Sequence, residues 1–243
     1  MAAPVNKTSE SKSISVFFPC YNEQGNIRRI YESATEVLKH TGIDYEIILV
    51  DDGSTDGTPQ IANAIAAADS RVRVIHHPVN LGYGSALQSG FRAATRALVF
   101  YTDADGQFSL DELPPLIPLM KQCDIVSCFR LNRQEGPIRR LNAWCWTNFM
   151  CFIFRLKLKD INCAFKLYKR SVFEDMEMRS TGALINAEIL ARAARRGFGI
   201  TQVGVHHFLR INGRQTGSSP AVIFRAFGEL AKFYKHIKND TVH

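Results

Sequence analysis

The chain has 243 residues, of which 46% are hydrophobic and 22% are charged, and its formal net charge is +7. This composition is typical of a globular protein and excludes a disordered chain, a collagen-like repeat and a small disulfide scaffold. No apolar run reaches the roughly 18 residues that a membrane-spanning helix needs, so none is predicted. Residues 1–12 are polar and lack an apolar signal core, which predicts a flexible N-terminal tail.

The first hundred residues alternate between short apolar runs and helical patterns, which predicts a mostly parallel sheet flanked by helices. The predicted strands are Ile14–Pro19, Tyr45–Asp51, Arg71–His76 and Ala97–Thr102, and the helices between them are Gly25–His40, Gln60–Ala68 and Tyr83–Arg96. In such a sheet, ligands bind beyond the carboxyl ends of the strands. Three polar clusters follow predicted strands and should share that edge: Tyr21-Asn22-Glu23, Asp51-Asp52-Gly53-Ser54 and Asp103-Ala104-Asp105.

The second half of the chain has a different pattern. It predicts strands at Asp124–Phe129, Asn162–Tyr168 and Ile200–His207, a basic loop at Arg130–Arg140 and a helix at Ala183–Arg196. Leu141–Phe154 is rich in aromatic residues, and Ala221–Ile237 is an amphipathic helical pattern with Ile223, Phe227, Leu230 and Tyr234 on one stripe. We therefore predict one domain over residues 13–220, followed by an amphipathic helix and tail over residues 221–243.

Charge is distributed unevenly along the chain. Residues 1–129 carry 10 basic and 15 acidic side chains, residues 130–170 carry 10 and 2, and residues 210–243 carry 6 and 2. An acidic half followed by a basic half favours a metal–nucleotide site beside a patch for an anion. A uniformly basic chain would instead suggest nucleic acid, and no nucleic-acid partner is expected here.

The six cysteines form no Cys-x-x-Cys pair and have no metal-ligand spacing. This pattern indicates reduced cysteines that pack in the interior of a cytoplasmic protein. His206-His207 ends a predicted strand without a third ligand at metal spacing, and we interpret it as a structural pair.

The sharpest local signal is Asp103-Ala104-Asp105-Gly106-Gln107, because it follows an apolar strand. Carboxylates at this spacing can converge on Mg²⁺ or Mn²⁺ bound to phosphates, although an isolated motif of this kind could be only an acidic turn. The run Asp51–Thr58 could also be only a turn, but its first two carboxylates follow a buried run, where they can reach a base or a ribose. Gly82-Tyr83-Gly84 lacks the full dinucleotide fingerprint and no P-loop is present, so neither of those folds is predicted.

Four motifs occur in a characteristic order: Pro19-x-Tyr21-Asn22-Glu23, the run Val50–Thr58, Asn80-x-Gly82-x-Gly84 and Asp103-x-Asp105-x-Gln107. Together they resemble the family 2 inverting glycosyltransferases of GT-A fold. The most similar branch is that of dolichol-phosphate mannosyltransferase and the bacterial polyprenyl-phosphate glycosyltransferases. The resemblance covers about residues 13–220.

The resemblance implies a Rossmann-like GT-A sheet and transfer of a hexose from GDP-mannose or UDP-glucose to a polyprenyl or dolichyl phosphate. It implies that the nucleotide sugar is bound by Pro19, Tyr21, Glu23, Val50, Asp52, Asp103 and Ala104. It also implies that Asp105 and Gln107 hold Mg²⁺ or Mn²⁺, and that Asp105, Arg130 and Arg210 are catalytic, with both arginines on the acceptor side.

Two departures from the family pattern affect the acceptor side. Arg210-x-x-Gly213 resembles the family's late Arg-x-x-Gly-x-Ser-Lys element, but Gln215-Thr216 stand where Ser-Lys is common. Arg214-x-x-Gly217-x-Ser219 offers a competing register, with Pro220 in the Lys place. Cys163-Ala164 replace the Ser-Gly of the branch's Asp-x-x-Ser-Gly-Phe-Arg element, which begins here at Asp160.

Two other functions stay open on the sequence. A family 2 enzyme that uses a glycan or lipid hydroxyl as acceptor needs a carboxylate base, for which Glu188 or Asp160 is the candidate. The second alternative is a non-catalytic nucleotide-binding protein. A lipid phosphate, by contrast, is already an anion, and the arginines of residues 130–170 suit bidentate contact with it.

Basic and aromatic residues interleave around Leu141–Phe154, which is typical of a helix at a membrane interface. We therefore expect peripheral contact with the cytoplasmic face of a membrane. The alternative for the same apolar residues is packing in the core or in a homo-oligomer interface.

Overall fold

A computed structural model of the chain describes residues 13–133, 136–210 and 220–240. The strands are β1 (Ser13–Cys20), β2 (Asp44–Asp51), β3 (Val72–His76), β4 (Leu98–Thr102), β5 (Ile125–Leu131), β6 (Phe165–Lys169) and β7 (Ile200–His206). The α-helices are α1 (Ile27–Thr41), α2 (Thr58–Ala68), α3 (Tyr83–Ala93), α4 (Pro137–Phe154), α5 (Ile185–Arg195) and α6 (Pro220–Lys238). Short 3₁₀ helices cover Leu110–Glu112, Pro114–Lys121 and Arg170–Phe173.

The strands form one seven-stranded sheet in the order β3-β2-β1-β4-β6-β5-β7. Among the described strands, β6 alone runs antiparallel, and it lies between β4 and β5. Because its first residue, Phe165, pairs with Thr102 at the end of β4, the segment before β6 reaches the edge where the parallel strands end. The predicted mostly parallel sheet flanked by helices is thus confirmed, and the site edge also receives residues from an antiparallel strand.

The central strands are buried along most of their length, because helices cover both faces of the sheet. Helix α3 approaches β1 very closely at Gly90, where an added Cβ would lie 2.3 Å from Cδ2 of Phe17. The ring of Phe17 also packs edge-on against Phe91, with the ring centroids 4.9 Å apart. The glycine is therefore required by the packing of this layer.

Helix α4 differs from its prediction at its N-terminus. It begins at Pro137, so Arg139 and Arg140 lie on the helix and not in the predicted basic loop. Proline suits the first helical turn, because its missing N–H would have no helical partner there and its φ is already helical. The 3₁₀ segment Pro114–Lys121 was not predicted, and its three prolines explain why no regular helix forms there.

Helices α4 and α6 pack together through aromatic rings. Phe227 of α6 contacts Trp146 and Phe149 of α4, with centroid distances of 5.4 and 5.8 Å, and Tyr234 lies 6.2 Å from Phe154. Within the described parts of the chain, no helix combines the length and the hydrophobicity that crossing a bilayer requires.

All six cysteines are free of disulfides, and four of them are buried as predicted; Cys145 is exposed and Cys151 is half-buried.

Candidate active site

The carboxyl edge of the sheet opens into a cavity of about 1200 Å³. Its walls come from the loops after β1, β2, β4, β5 and β7, from the segments before β6 and α5, and from helices α3, α4 and α6. Most of the predicted site residues line it: Pro19, Tyr21, Glu23, Asp52, Asp103, Ala104, Asp105, Gln107, Arg130 and Arg210. Val50 does not line it, because its side chain is fully buried within β2. Arg214, the competing late arginine, lies outside the described residues.

Asp52 is already bound to protein groups on both carboxylate oxygens. The backbone N–H groups of Leu81 and Gly82 donate to Oδ1 and Oδ2, each at 2.9 Å, and Nδ1 of His77 lies 2.6 Å from Oδ1. These contacts fix the turn that opens α3. In this geometry Asp52 shapes the wall of the cavity as well as reaching it.

The two glycines of Gly82-Tyr83-Gly84 allow a close backbone approach. Gly82 has φ +102°, and a Cβ there would lie 2.7 Å from the carbonyl oxygen of Thr181. A Cβ on Gly84 would lie 2.5 Å from the carbonyl oxygen of Ser180. The motif therefore joins the start of α3 to the segment before α5, which explains glycines here without a dinucleotide fingerprint.

Asp103 and Asp105 follow β4 on a turn that Gly106 makes with φ +74°. Burial, and then the nearby charge of Asp105, raise the pKa of Asp103 to about 7, against the opposing effect of a hydrogen bond from Tyr83. Burial also raises the pKa of Asp105, although the backbone N–H of Gln107 donates to it at 3.1 Å. Burial disfavours the ionised form of both carboxylates, and a nearby cation would favour it.

Arg210 is a cation that lies beside Asp105. Its Nη1 lies 3.6 Å from Oδ2 of Asp105, and its Nη2 donates to the carboxylate of Glu23. Burial raises the pKa of Glu23, and the hydrogen bonds of Asn26 and Arg210 oppose that rise. The predicted nucleotide-binding Glu23 and the predicted catalytic Arg210 are therefore direct partners.

The loop after β7 is joined to the loop after β4 by two hydrogen bonds. The backbone N–H of Phe208 donates to the carbonyl of Gln107 at 2.9 Å, and Nε2 of Gln107 donates to the carbonyl of Phe208 at 3.1 Å. This places the buried His207 in the cavity wall, with its ring 5.3 Å from that of Phe108. His207 was interpreted only as a structural residue, and the signal for its position is that it follows a parallel strand.

Arg130 reaches the cavity from the end of β5 but is held by a carboxylate. Its Nε and Nη2 donate to Asp160 at 2.7 and 3.0 Å, and Arg133 lies 3.9 Å from the same group. Burial acts to raise the pKa of Asp160, but the hydrogen bond and charge of Arg130 outweigh it and hold this pKa below its usual range. Arg130 is thus oriented by a bidentate pair.

Neither carboxylate predicted as a general base is placed for that role. Glu188 is fully buried, does not line the cavity, pairs with Arg192 at 3.0 Å and accepts backbone N–H groups of Arg179 and Ser180. Its prediction as a base is wrong, because it is a structural acceptor beneath the segment before α5. Asp160 is occupied by Arg130, and its low pKa weakens it as a base.

The carboxylate oxygens of Asp103 and Asp105 suit a divalent cation that is shared with phosphates. Oδ1 of Asp103 is buried and has no hydrogen-bond partner among the described residues. Within the same residues, no group of three or more His, Cys, Asp or Glu side chains is arranged to hold a metal ion. Mg²⁺ commonly takes one or two carboxylates and completes its shell with substrate phosphates and water, which matches this set.

Part of the cavity wall is apolar. Trp146 and Phe149 of α4 and Ile223 and Phe227 of α6 line it, together with the polar Arg139, Asn142 and Arg225 of the same two helices. The ring of Phe227 packs against those of Trp146 and Phe149. The cavity therefore offers charged groups suited to a phosphorylated ligand and apolar surface suited to hydrocarbon.

The family model for glycosyl transferase family 2 matches residues 15–177. The undecaprenyl-phosphate 4-deoxy-4-formamido-L-arabinose transferases of Yersinia pestis (strain Pestoides F) and Yersinia pseudotuberculosis serotype O:3 (strain YPIII) are each 32% identical to the chain over 202 residues. That alignment covers 81% of this chain and 60% of each relative, so the chain spans about three fifths of the length of these relatives.

Two solved structures of glucosyl-3-phosphoglycerate synthase from Mycobacterium tuberculosis share the fold. The complex with Mn²⁺, uridine diphosphate and phosphoglyceric acid has a TM-score of 0.65 at 21% identity, over 93% of this chain and 76% of that one. The complex with Mn²⁺, UDP-glucose and phosphoglyceric acid has a TM-score of 0.69 at 18% identity, over 92% and 80%. The ordered motifs, the mostly parallel sheet and the matched family model agree, and the chain belongs to glycosyl transferase family 2.

Proposed function

We propose that this chain transfers a hexose from a nucleotide sugar to a polyprenyl phosphate, with inversion at the anomeric carbon. The observation that carries the proposal is that one cavity is lined by carboxylates, by arginines and by apolar side chains of α4 and α6. The named relatives are transferases for undecaprenyl phosphate, which has the same combination of phosphate and hydrocarbon.

At the donor end, Asp105 and Gln107 would hold Mg²⁺ or Mn²⁺, and Asp103 would face the ribose and diphosphate. A divalent cation bound there would neutralise the negative charge that develops on the leaving nucleoside diphosphate. Arg210, beside Asp105, adds positive charge to the same place from the protein itself. Glu23 holds that arginine in position, which reduces its freedom before the donor binds.

At the acceptor end, the chemistry needs cations and no strong base. A lipid phosphate is deprotonated near neutral pH, so the enzyme has to bring its oxygen close to the anomeric carbon of the donor. Arg130 is pre-oriented for this by Asp160, and Arg133 and Arg139 also line the cavity. A glycan or lipid hydroxyl acceptor would need a general base, and Glu188 does not reach the cavity, which weakens that alternative.

The apolar surface beside the cavity supports docking on a membrane that contains the acceptor. Trp144 and Phe152 of α4 are 63% and 81% exposed, and Phe224 of α6 is 77% exposed. Basic residues flank both helices, and each contributes about 1 kcal/mol near an anionic surface. Binding to anionic liposomes that weakens as salt rises supports docking, whereas no sedimentation with them at low salt excludes it and favours a subunit interface.

The transfer itself can be tested with a short polyprenyl phosphate, the matching polyprenol, and UDP-glucose or GDP-mannose in the presence of Mn²⁺. We expect a glycosyl phosphate product, detected by mass spectrometry, from the phosphate and none from the alcohol. Transfer to the alcohol alone would instead support the hydroxyl-acceptor enzyme. Nucleotide binding without transfer to either acceptor would support a non-catalytic protein.

A further inference from the structure

The order of the strands along the carboxyl edge indicates how a nucleotide sugar would lie in the cavity. The base-side residue Asp52 follows β2, and the diphosphate-side residues Asp103 and Asp105 follow β4, two strands away in the sheet. The next strand beyond β4 is β6. Since neighbouring strands lie about 4.8 Å apart, a nucleotide sugar laid along this edge would bring its sugar to the segment before β6.

Asn162 is the polar side chain that this segment presents to the cavity. It lines the cavity two residues after Asp160, the partner of Arg130. Ile161 and Cys163, on either side of it, are fully buried, which anchors the segment in the core. Asn162 is therefore held in place by its neighbours, as a residue that selects a ligand must be.

The Oδ1 atom of Asn162 is buried and has no hydrogen-bond partner among the described residues. A buried amide oxygen without a donor is costly, so an atom of this kind in a cavity wall suits a ligand that supplies the donor. An ionised phosphate has no proton to donate and does not satisfy it. A sugar hydroxyl does, and it can also accept from the amide N–H of the same side chain.

We propose that Asn162 binds a hydroxyl group of the transferred sugar and helps to determine which sugar the enzyme accepts. This assignment rests on the proposed function, because it requires a nucleotide sugar in the cavity. It concerns the sugar part of the donor alone, since the base-side residues lie at the far end of the edge.

The test compares a nucleotide sugar with its nucleoside diphosphate. Binding of UDP, UDP-glucose, GDP and GDP-mannose is measured by calorimetry with Mn²⁺ at pH 8 for the wild type, Asn162→Ala and Asn162→Ser. We expect Asn162→Ala to weaken binding of the nucleotide sugar about tenfold and to leave the nucleoside diphosphate within about twofold, as the loss of one hydrogen bond to a neutral group predicts. Asn162→Ser, which keeps a hydroxyl, should recover part of the loss.

Asn142→Ala is the matched control, because Asn142 also lines the cavity but lies on α4. It should change neither affinity, and thermal denaturation checks that each variant is folded. Equal weakening of the nucleotide sugar and the nucleoside diphosphate, or no weakening of either, would overturn the assignment. The binding experiment contains no acceptor, so its result does not depend on transfer. In the separate transfer assay, a wild type that binds the donor but does not glycosylate a polyprenyl phosphate would refute the proposed function.

Discussion

The buried carboxylate of Asp103 predicts that donor binding depends on pH near neutrality. With a pKa of about 7, this group would be about 90% ionised at pH 8 and about 10% ionised at pH 6. Ionised Asp103 adds negative charge beside the cation that Asp105 and Gln107 would hold, so we expect the affinity for Mn²⁺ with a nucleotide sugar to fall by up to about tenfold between pH 8 and pH 6. A nucleotide sugar is the suitable ligand, because a free terminal phosphate would itself titrate in this range.

Calorimetric titrations at pH 6, 7 and 8 measure this dependence, and Asp103→Asn identifies its source. The variant should bind less tightly at pH 8 and lose most of this dependence on pH. An unchanged slope in Asp103→Asn would show that another group controls binding, and a flat wild-type profile would refute the reasoning. The effect of pH on stability has the opposite sign to its effect on donor binding. Because the carboxyl of Asp103 has the ordinary pKa of 3.8 in the unfolded chain, the free energy of unfolding should fall as pH rises from about 4 to about 7.

Three further predictions concern single substitutions. Asp105→Ala should reduce transfer at least a hundredfold while leaving the melting temperature nearly unchanged, because burial already disfavours the ionised carboxylate and its removal takes away little packing. Equal activity in a transfer assay with Mn²⁺ would contradict its proposed metal role. Asp160→Asn should lower the free energy of unfolding by about 3 kcal/mol or more, since it leaves Arg130 partly buried beside a neutral amide; urea denaturation measures this loss. Gly90→Ala should also lower the free energy of unfolding, by about 1–3 kcal/mol, because its Cβ would clash with the buried ring of Phe17 on β1. Gly228→Ala on α6 meets open space and should stabilise the protein slightly. Equal urea midpoints for the two variants would contradict the packing argument.

Local patterns predicted the elements of this fold well, because the alternation of apolar runs and helical stretches reports burial directly. The same patterns say nothing about strand direction. The run around Phe165 is equally consistent with a parallel strand at the edge and with the observed antiparallel strand between β4 and β5. Its position depends on which neighbours it pairs with, and that information is not local.

The candidate site shows the same division. The motifs located the carboxylates after β2 and β4, since strand ends in an α/β sheet share an edge. They did not show that Arg210 contacts Glu23, 187 residues earlier in the chain, or that Arg130 is held by Asp160. Both pairs form only when the chain is folded. In each of them a carboxylate of the protein already holds an arginine that the sequence suggested only as a phosphate ligand.

The antiparallel strand β6 also has a consequence for the order of folding. Strands β1 to β4 can pair with one another as soon as they are made, because each finds its neighbour among earlier residues. Strand β5 has no such neighbour and joins the sheet through β6, which is made later. Strand β7 in turn pairs with β5, so Arg130 and Arg210 should both reach the cavity only after β6 has paired. Mutations in β6 should therefore slow the completion of the cavity more than the pairing of β1 to β4.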